Sequence, residues 1–312
     1  MASLKAPAPP RQRWLLTGAG GWFGKTALYE YEHCYGPAAL RQEVIAFASR
    51  PRWIDFGSPH GPIEALDLRE IGSIEAPSGL LHLAFLTRDR IAEVGLESYI
   101  DTNRAITAAI RGVLQAHPTI AAITTSSGAA AALDGQPAEL EANPYASLKQ
   151  EEESLWRQQA SSRMAVVFRV YAASGRMMVG PERFALGDLL LQAMAGNQLH
   201  IKAKHRVERS YGHVGSLMQL AWAMLKQPKP TGFYGVDACT DALDLVELAE
   251  AISHAFGLQA PSHSINSELP ADRYVGDSQA FRQLLKDYAL IHPTLAQQIE
   301  ETHVGLRQQT QA

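Results

Sequence analysis

Along its first half the chain alternates short apolar runs with stretches whose apolar residues recur at helical spacing. Trp14–Thr17, Val44–Ala48, Ile63–Leu68, Leu80–Phe85, Ile120–Thr125 and Met164–Val170 are runs of strand length. Lys25–Tyr35 reads as a helix stopped by Gly36-Pro37, and Ser98–Gln115 as one stopped by His117-Pro118. Strands separated by helices predict an α/β protein with a doubly wound parallel sheet and helices on both faces. Such sheets bind ligands beyond the carboxyl ends of their strands, so the informative residues should follow each run.

From about Gly175 the elements shorten, with helices expected over Leu243–Ala255 and Asp277–Leu285. The resulting division is a loose tail at 1–13 and a cofactor domain at 14–175. A smaller C-terminal substrate-binding lobe occupies most of 176–307, where the chain has room to cross back to the sheet. A polar tail at 308–312 is expected to fray.

Composition narrows the function classes. The 312 residues carry 28 Lys+Arg against 32 Asp+Glu, a net charge of −4 with no long block of one sign. That leaves no electrostatic footprint for nucleic acid or an anionic membrane. With 46% hydrophobic and 19% charged residues, most of the chain must fold around a core. Cys34 and Cys239 make no disulfide framework and lack metal-ligand spacing. No apolar run reaches the ~18 residues of a membrane span, and Met1–Arg13 has no apolar signal core. A cytoplasmic protein is expected.

Gly18, Gly21 and Gly24 lie between the first strand and a helix. Glycines there permit a tight turn and close backbone approach to a pyrophosphate at the helix N-terminus. A rival reading uses the same stretch, because Ala19 to Thr26 is one residue off a triphosphate loop, with Lys25 on phosphate and Thr26 on magnesium. After the second strand, an NAD site normally has a carboxylate for the ribose hydroxyl. Here Ser49-Arg50-Pro51-Arg52 follows instead, with no acid before Asp55. Ser49 and Arg50 suit a 2′-phosphate, which favours NADP, with NAD as the alternative.

Ser126 and Ser127 end the fifth run. Tyr145 and Lys149 stand four apart at the start of a predicted helix, on one face. An ammonium beside a phenol favours the phenolate, making Tyr145 a candidate acid/base for alcohol–ketone interconversion, with a serine hydroxyl holding the same oxygen.

In this order the motifs resemble the extended short-chain dehydrogenase/reductases, the NAD(P)-dependent epimerases, dehydratases and reductases that commonly act on nucleotide sugars. The resemblance rests on Thr17-Gly18-Ala19-Gly20-Gly21-Trp22-Phe23-Gly24, Leu81-His82-Leu83-Ala84, Thr125-Ser126-Ser127-Gly128 and Pro144-Tyr145-Ala146-Ser147-Leu148-Lys149. It continues through Arg169-Val170-Tyr171 and Arg209-Ser210-Tyr211-Gly212-His213-Val214, so it spans most of the chain. It implies a Rossmann domain and decides the glycine loop in favour of a dinucleotide. By the resemblance, Gly18, Gly21, Trp22, Phe23 and Gly24 form the phosphate loop, and Asp67-Leu68 meets the adenine. Leu83 and Ala84 lie near the nicotinamide ribose, and Asn103 matches a helix asparagine. Ser127, Tyr145 and Lys149 are the catalytic set, Ser126 lies beside the substrate, and Arg209 binds its diphosphate. A homodimer is also implied.

Three departures stand out. Gly215-Ser216 replaces a pair of acids, and Gly128-Ala129 replaces the Asp-Glu pair with which 4,6-dehydratases eliminate water. An alanine-rich stretch ending Leu133-Asp134-Gly135 replaces the usual aromatic-glycine. The resulting reading is a reductase acting on a keto carbon of a nucleotide sugar. Its alternatives are an epimerase with retained NAD and a non-catalytic dinucleotide-binding regulator. His200, His205 and His213 fit no compact metal set. His82 reads as a satisfied core histidine, Glu151-Glu152-Glu153 as a solvated helix face, and Lys202, Lys204 and Arg206 as a basic cluster beside Arg209.

Overall fold

The computed structural model describes residues 12–133, 140–240 and 242–311. The first half runs β1 (Trp14–Thr17), α1 (Trp22–Tyr35), α2 (Pro37–Glu43), β2 (Val44–Ala48), β3 (Arg52–Ile54), β4 (Ile63–Asp67) and β5 (Gly79–His82). It continues through α3 (Ile91–Val94), α4 (Leu96–Ala116), β6 (Ala121–Ser127), α5 (Gly128–Ala131), α6 (Pro144–Gln159) and β7 (Met164–Val170). Then come β8 (Ala172–Ser174), α7 (Ala185–Met194), β9 (His200–Ile201), β10 (Val207–His213), α8 (Val214–Lys226) and β11 (Gly232–Asp237). The chain ends with β12 (Ala242–Asp244), α9 (Leu245–Phe256), β13 (Ser262–His263), β14 (Asp272–Tyr274), α10 (Gln279–Asp287) and α11 (Leu295–Gln311). The substitute for the aromatic-glycine, from Asp134 onward, lies outside the described residues, as does most of the N-terminal tail.

The expected parallel sheet forms, in the order β11-β7-β6-β5-β1-β2-β4-β3. Every pairing in it is parallel except the β3–β4 edge. Side chains alternate across a strand, so β1 feeds both faces. Leu16 joins the core under α1 and α8, and Leu15 the core under α4 with Ile110, Leu114 and Trp156. The strand order reverses between β1 and β5, which opens a crevice at their carboxyl ends.

The second half does not form one separate lobe. β11 returns to the sheet edge beside β7, and α8 packs on α1, where the Trp222 indole N–H donates to the Ala27 carbonyl at 2.8 Å. Phe281 and Leu284 of α10 enter the same core. The remaining elements gather around Leu189, Leu190, Leu248, Ile252 and Ile299. α11 runs to Gln311, and Gln309 donates to the Met178 carbonyl, so the polar end expected to fray is helical. Where two acids are missing, a side chain at Gly215 would lie 2.6 Å from the His213 ring and 3.0 Å from Glu30. The junction to α11 is made instead by His213 Nε2 and Glu301, 3.0 Å apart.

Candidate active site

The glycine loop is closed by contacts that exclude side chains. Gly18 has φ +70°, and a Cβ on it would lie 2.6 Å from the Leu83 backbone; a Cβ on Gly24 would lie 2.1 Å from the Gly18 carbonyl oxygen. α1 begins at Trp22, so the amides of Trp22, Phe23 and Gly24 open the helix without carbonyl partners of their own turn, a ready anion site. The same start disposes of the triphosphate reading. Lys25 is already inside the helix, and the buried Thr26 hydroxyl donates to the Trp22 carbonyl at 3.0 Å. The Trp22 ring turns toward the lobe, edge-on to Phe184 at 5.6 Å.

Beside the loop lies a cavity of about 480 Å³ at the ends of β1, β2, β4 and β5, within the size range of cofactor sites. Gly18, Gly20 and Gly21 form one wall, Leu83, Ala84, Phe85 and Leu86 another, and Thr102, Ile106 and Ala109 of α4 a third. Ser49, Asp67 and Leu68 line its outer end. Arg50 is exposed and not on the wall; Arg52 and Arg69 are. The Arg52 guanidinium lies so close to Gly20 that a Cβ there would be 2.0 Å from it. Asp67 caps the turn after β4, accepting from the Arg69 amide and Nε at 2.9 Å. Those hydrogen bonds hold its carboxyl down at about 2. Buried Asn103 stands behind the wall: its Oδ1 accepts from the Leu86 amide at 2.8 Å and its Nδ2 donates to the Leu86 carbonyl at 3.2 Å, pinning the segment after β5.

The candidate acid/base pair lies against Phe85, one of the wall residues. Asn143 caps α6, accepting from the Ala146 amide, and Pro144 opens it, which sets Tyr145 and Lys149 on the first turns. Phe85 brings the two together, edge-to-face with Tyr145 at 5.8 Å and beneath the Lys149 ammonium at 3.8 Å. Ser127 caps α5, and its hydroxyl lies 2.9 Å from the phenol of Tyr274. Burial, and after it the neighbouring Tyr145, raise the Tyr274 phenol, while the Ser127 bond opposes them. Ser126 is buried, and among the described residues its hydroxyl has no hydrogen-bond partner. Arg209 lies on β10 with its guanidinium on the Asp272 carbonyl at 2.9 Å and the Asp272 carboxylate at 2.5 Å. Lys202, Lys204 and Arg206 do not converge with it, each engaging its own partner.

Tyr274 lies 147 residues from Ser127, and no spacing in the sequence announces it. The Gly128 departure has a steric cause, since a Cβ there would lie 2.3 Å from the Tyr171 ring, which fills the space an acidic side chain would need.

The expected solvated face of α6 is corrected at two positions. Glu151 is exposed and pairs with Arg104. Glu153 is buried and chelates Arg169, and Glu152 is buried against Lys149 at 2.9 Å. His82 is buried and satisfied as expected, between the Thr17 hydroxyl at 2.7 Å and Glu152 at 3.2 Å. Among the described residues no cluster of His, Cys, Asp or Glu could hold a metal ion, and no helix is long and apolar enough to cross a membrane.

No protein-family model and no curated protein sequence matches the chain. Solved structures do. A UDP-glucose 4-epimerase from Stenotrophomonas maltophila, with bound NAD and formylated UDP-arabinopyranose, superposes with a TM-score of 0.74 at 17% identity, covering 96% of this chain and 100% of that one. MoeE5 in complex with UDP-glucose and NAD gives 0.69 at 17% identity, covering 96% and 99%. A dTDP-glucose 4,6-dehydratase from Bacillus anthracis in complex with NAD gives 0.66 at 13%, covering 96% and 98%. The chain therefore has, over nearly its whole length, the Rossmann fold with a C-terminal lobe that these nucleotide-sugar epimerases and dehydratases share.

Proposed function

We propose that the protein is an NAD(P)-dependent oxidoreductase of the extended short-chain dehydrogenase/reductase type, reducing a keto carbon of a nucleotide sugar. The observation that carries this is that Tyr145 and Lys149 pack on Phe85, a wall residue of a glycine-walled cavity of cofactor size, while Ser127 bonds Tyr274, whose phenol also feels Tyr145. The residues fit a dinucleotide. Gly18, Gly21 and Gly24 keep side chains out of the turn, the α1 N-terminus receives the pyrophosphate, and Asp67 and Leu68 flank the adenine end. A nicotinamide bound there would supply or accept a hydride at the substrate carbon.

Tyr145 moves the proton at the substrate oxygen, and the Ser127 hydroxyl holds that oxygen in place of its present partner Tyr274. Lys149 supplies the positive charge that favours the phenolate. Arg209 exchanges its Asp272 contacts for a diphosphate. NADP is favoured because Arg52 and Arg69, and no carboxylate free of a cation, stand at the outer end of the cavity. The chain has no acid at 128 or 129 and no room for one at 128, which counts against dehydration. An epimerase retaining NAD is the second reading, favoured by the epimerase of like fold that holds NAD.

Titration with NADPH and NADH, after mass spectrometry for retained cofactor, separates the two. Tight NADPH binding to an empty protein supports the reductase, and co-purified NAD moves the epimerase first. Tyr145→Phe should abolish turnover on a panel of nucleotide-keto-sugars with cofactor affinity nearly unchanged; full activity in that variant would remove the acid/base role.

A further inference from the structure

Beneath the reacting groups runs a closed chain of buried polar contacts joining three strands to the catalytic helix. The Thr17 hydroxyl accepts from the Leu83 and Ala84 amides at 3.1 and 3.2 Å. Both its lone pairs are then used, so its proton points to His82 Nδ1, 2.7 Å away. His82 therefore carries its own proton on Nε2 and donates to Glu152 Oε1 at 3.2 Å. The Thr124 hydroxyl donates to the same oxygen at 2.8 Å, while Lys149 Nζ donates to Glu152 Oε2 and to the Thr125 carbonyl, both at 2.9 Å. Glu152 and Lys149 are only 1% and 5% exposed. Two of the three ammonium donors are thus committed, and the third side is covered by Phe85.

We infer that Glu152 is a positioning residue that aims the Lys149 ammonium and offsets part of the field it presents to Tyr145. The inference rests on the reading of Tyr145 as acid/base. Of the other charges on α6, Glu151 pairs with Arg104 of α4 and Glu153 with Arg169 of β7, while Arg157 lies over the Phe233 ring; α5 contributes none. Among the described residues, the phenols of Tyr99 and Tyr274 also lie close enough to Tyr145 to feel its charge. Without Glu152 the lysine charge acts uncompensated. Seven helical residues separate Tyr145 from Glu152, about 10 Å of rise, so at an effective dielectric constant of about 20 to 40 the missing charge is worth roughly half to one pH unit on the phenol.

The test is an ultraviolet difference titration of the tyrosinate band between the protein and its Tyr145→Phe variant, made in the native and Glu152→Gln backgrounds. The Tyr145 midpoint should fall by about half to one pH unit in Glu152→Gln, and an unmoved midpoint overturns the inference. Stability gives a second readout that survives poor folding of Glu152→Gln alone. Lys149→Met, which strands a buried carboxylate, should melt well below Lys149→Met/Glu152→Gln; a double variant no more stable than the single overturns the pairing. Neither measurement needs cofactor or substrate. A protein that binds no nicotinamide dinucleotide removes the functional reading while the Glu152 effect stays measurable, and an unmoved midpoint in a protein that binds it removes the inference alone.

Discussion

A guanidinium chooses between two dinucleotides that differ by one phosphate, and the residue that makes the choice must reach the outer end of the cavity. Arg50 follows β2 as the pattern requires but does not line the cavity, whereas Arg52 lines it and leans over Gly20. Charge-assisted hydrogen bonds contribute about 1.5–3 kcal/mol, so Arg52→Ala should weaken NADPH binding about tenfold to a hundredfold and leave NADH nearly unchanged. Arg50→Ala should have the smaller effect. Fluorescence titration of both variants with both cofactors checks this, and equal losses for NADPH and NADH would remove the 2′-phosphate from the assignment. Arg52 was in view in the sequence as the second arginine of its loop; its contact with Gly20 depends on β3 turning back beside β4, which no local signal specified.

At the scale of the element, α6 carries both the proposed acid/base pair and a buried ion pair. Burial works against the Glu152 carboxylate, but the Lys149 charge, the His82 bond and the remaining contacts outweigh it and hold its carboxyl well below the usual range. A carboxyl whose folded-state value is depressed binds protons more readily when unfolded. Its contribution to stability is therefore complete above about pH 4.3 and is lost as pH falls toward about 2. Denaturant melts across that window should show a steeper acid loss in the native protein than in Glu152→Gln, and parallel slopes would place the ionised pair outside the folding balance. The helix period put Tyr145 and Lys149 on one face, but read as solvent-facing a run of three glutamates of which two are buried. Burial there depends on β5 and β6 supplying His82 and Thr124 to Glu152, and β7 supplying Arg169 to Glu153.

At the scale of the whole molecule, the last helix ties the elements around α7 and α9 to the end of β8. α11 reaches back to the end of β8, where Ser174 donates to Gln298 at 2.6 Å and the Gly175 amide to Thr302 at 3.0 Å. Gly305 lets it approach so closely that a Cβ would lie 1.8 Å from the Arg176 carbonyl oxygen. Gly305→Ala must displace the helix, at a cost of about 1–3 kcal/mol, and should lower the melting temperature by several degrees. An unchanged melting curve would show that α11 shifts freely. β14, paired with β10, carries Tyr274 to Ser127, so that contact forms only once the first and second halves of the chain have come together.

The sequence by itself determined the parallel sheet, its crossover helices, the side-chain-free turn after β1 and the Tyr145–Lys149 face. Each follows from a short-range period or from the steric needs of a single turn. Tertiary structure alone decided which arginine reaches the cavity, which glutamates are buried, that Tyr171 occupies the space beside Gly128, and that Tyr274 faces Ser127. Those are contacts between residues tens to more than a hundred positions apart. Their partners are selected by how sheets and helices pack, and no local pattern records them.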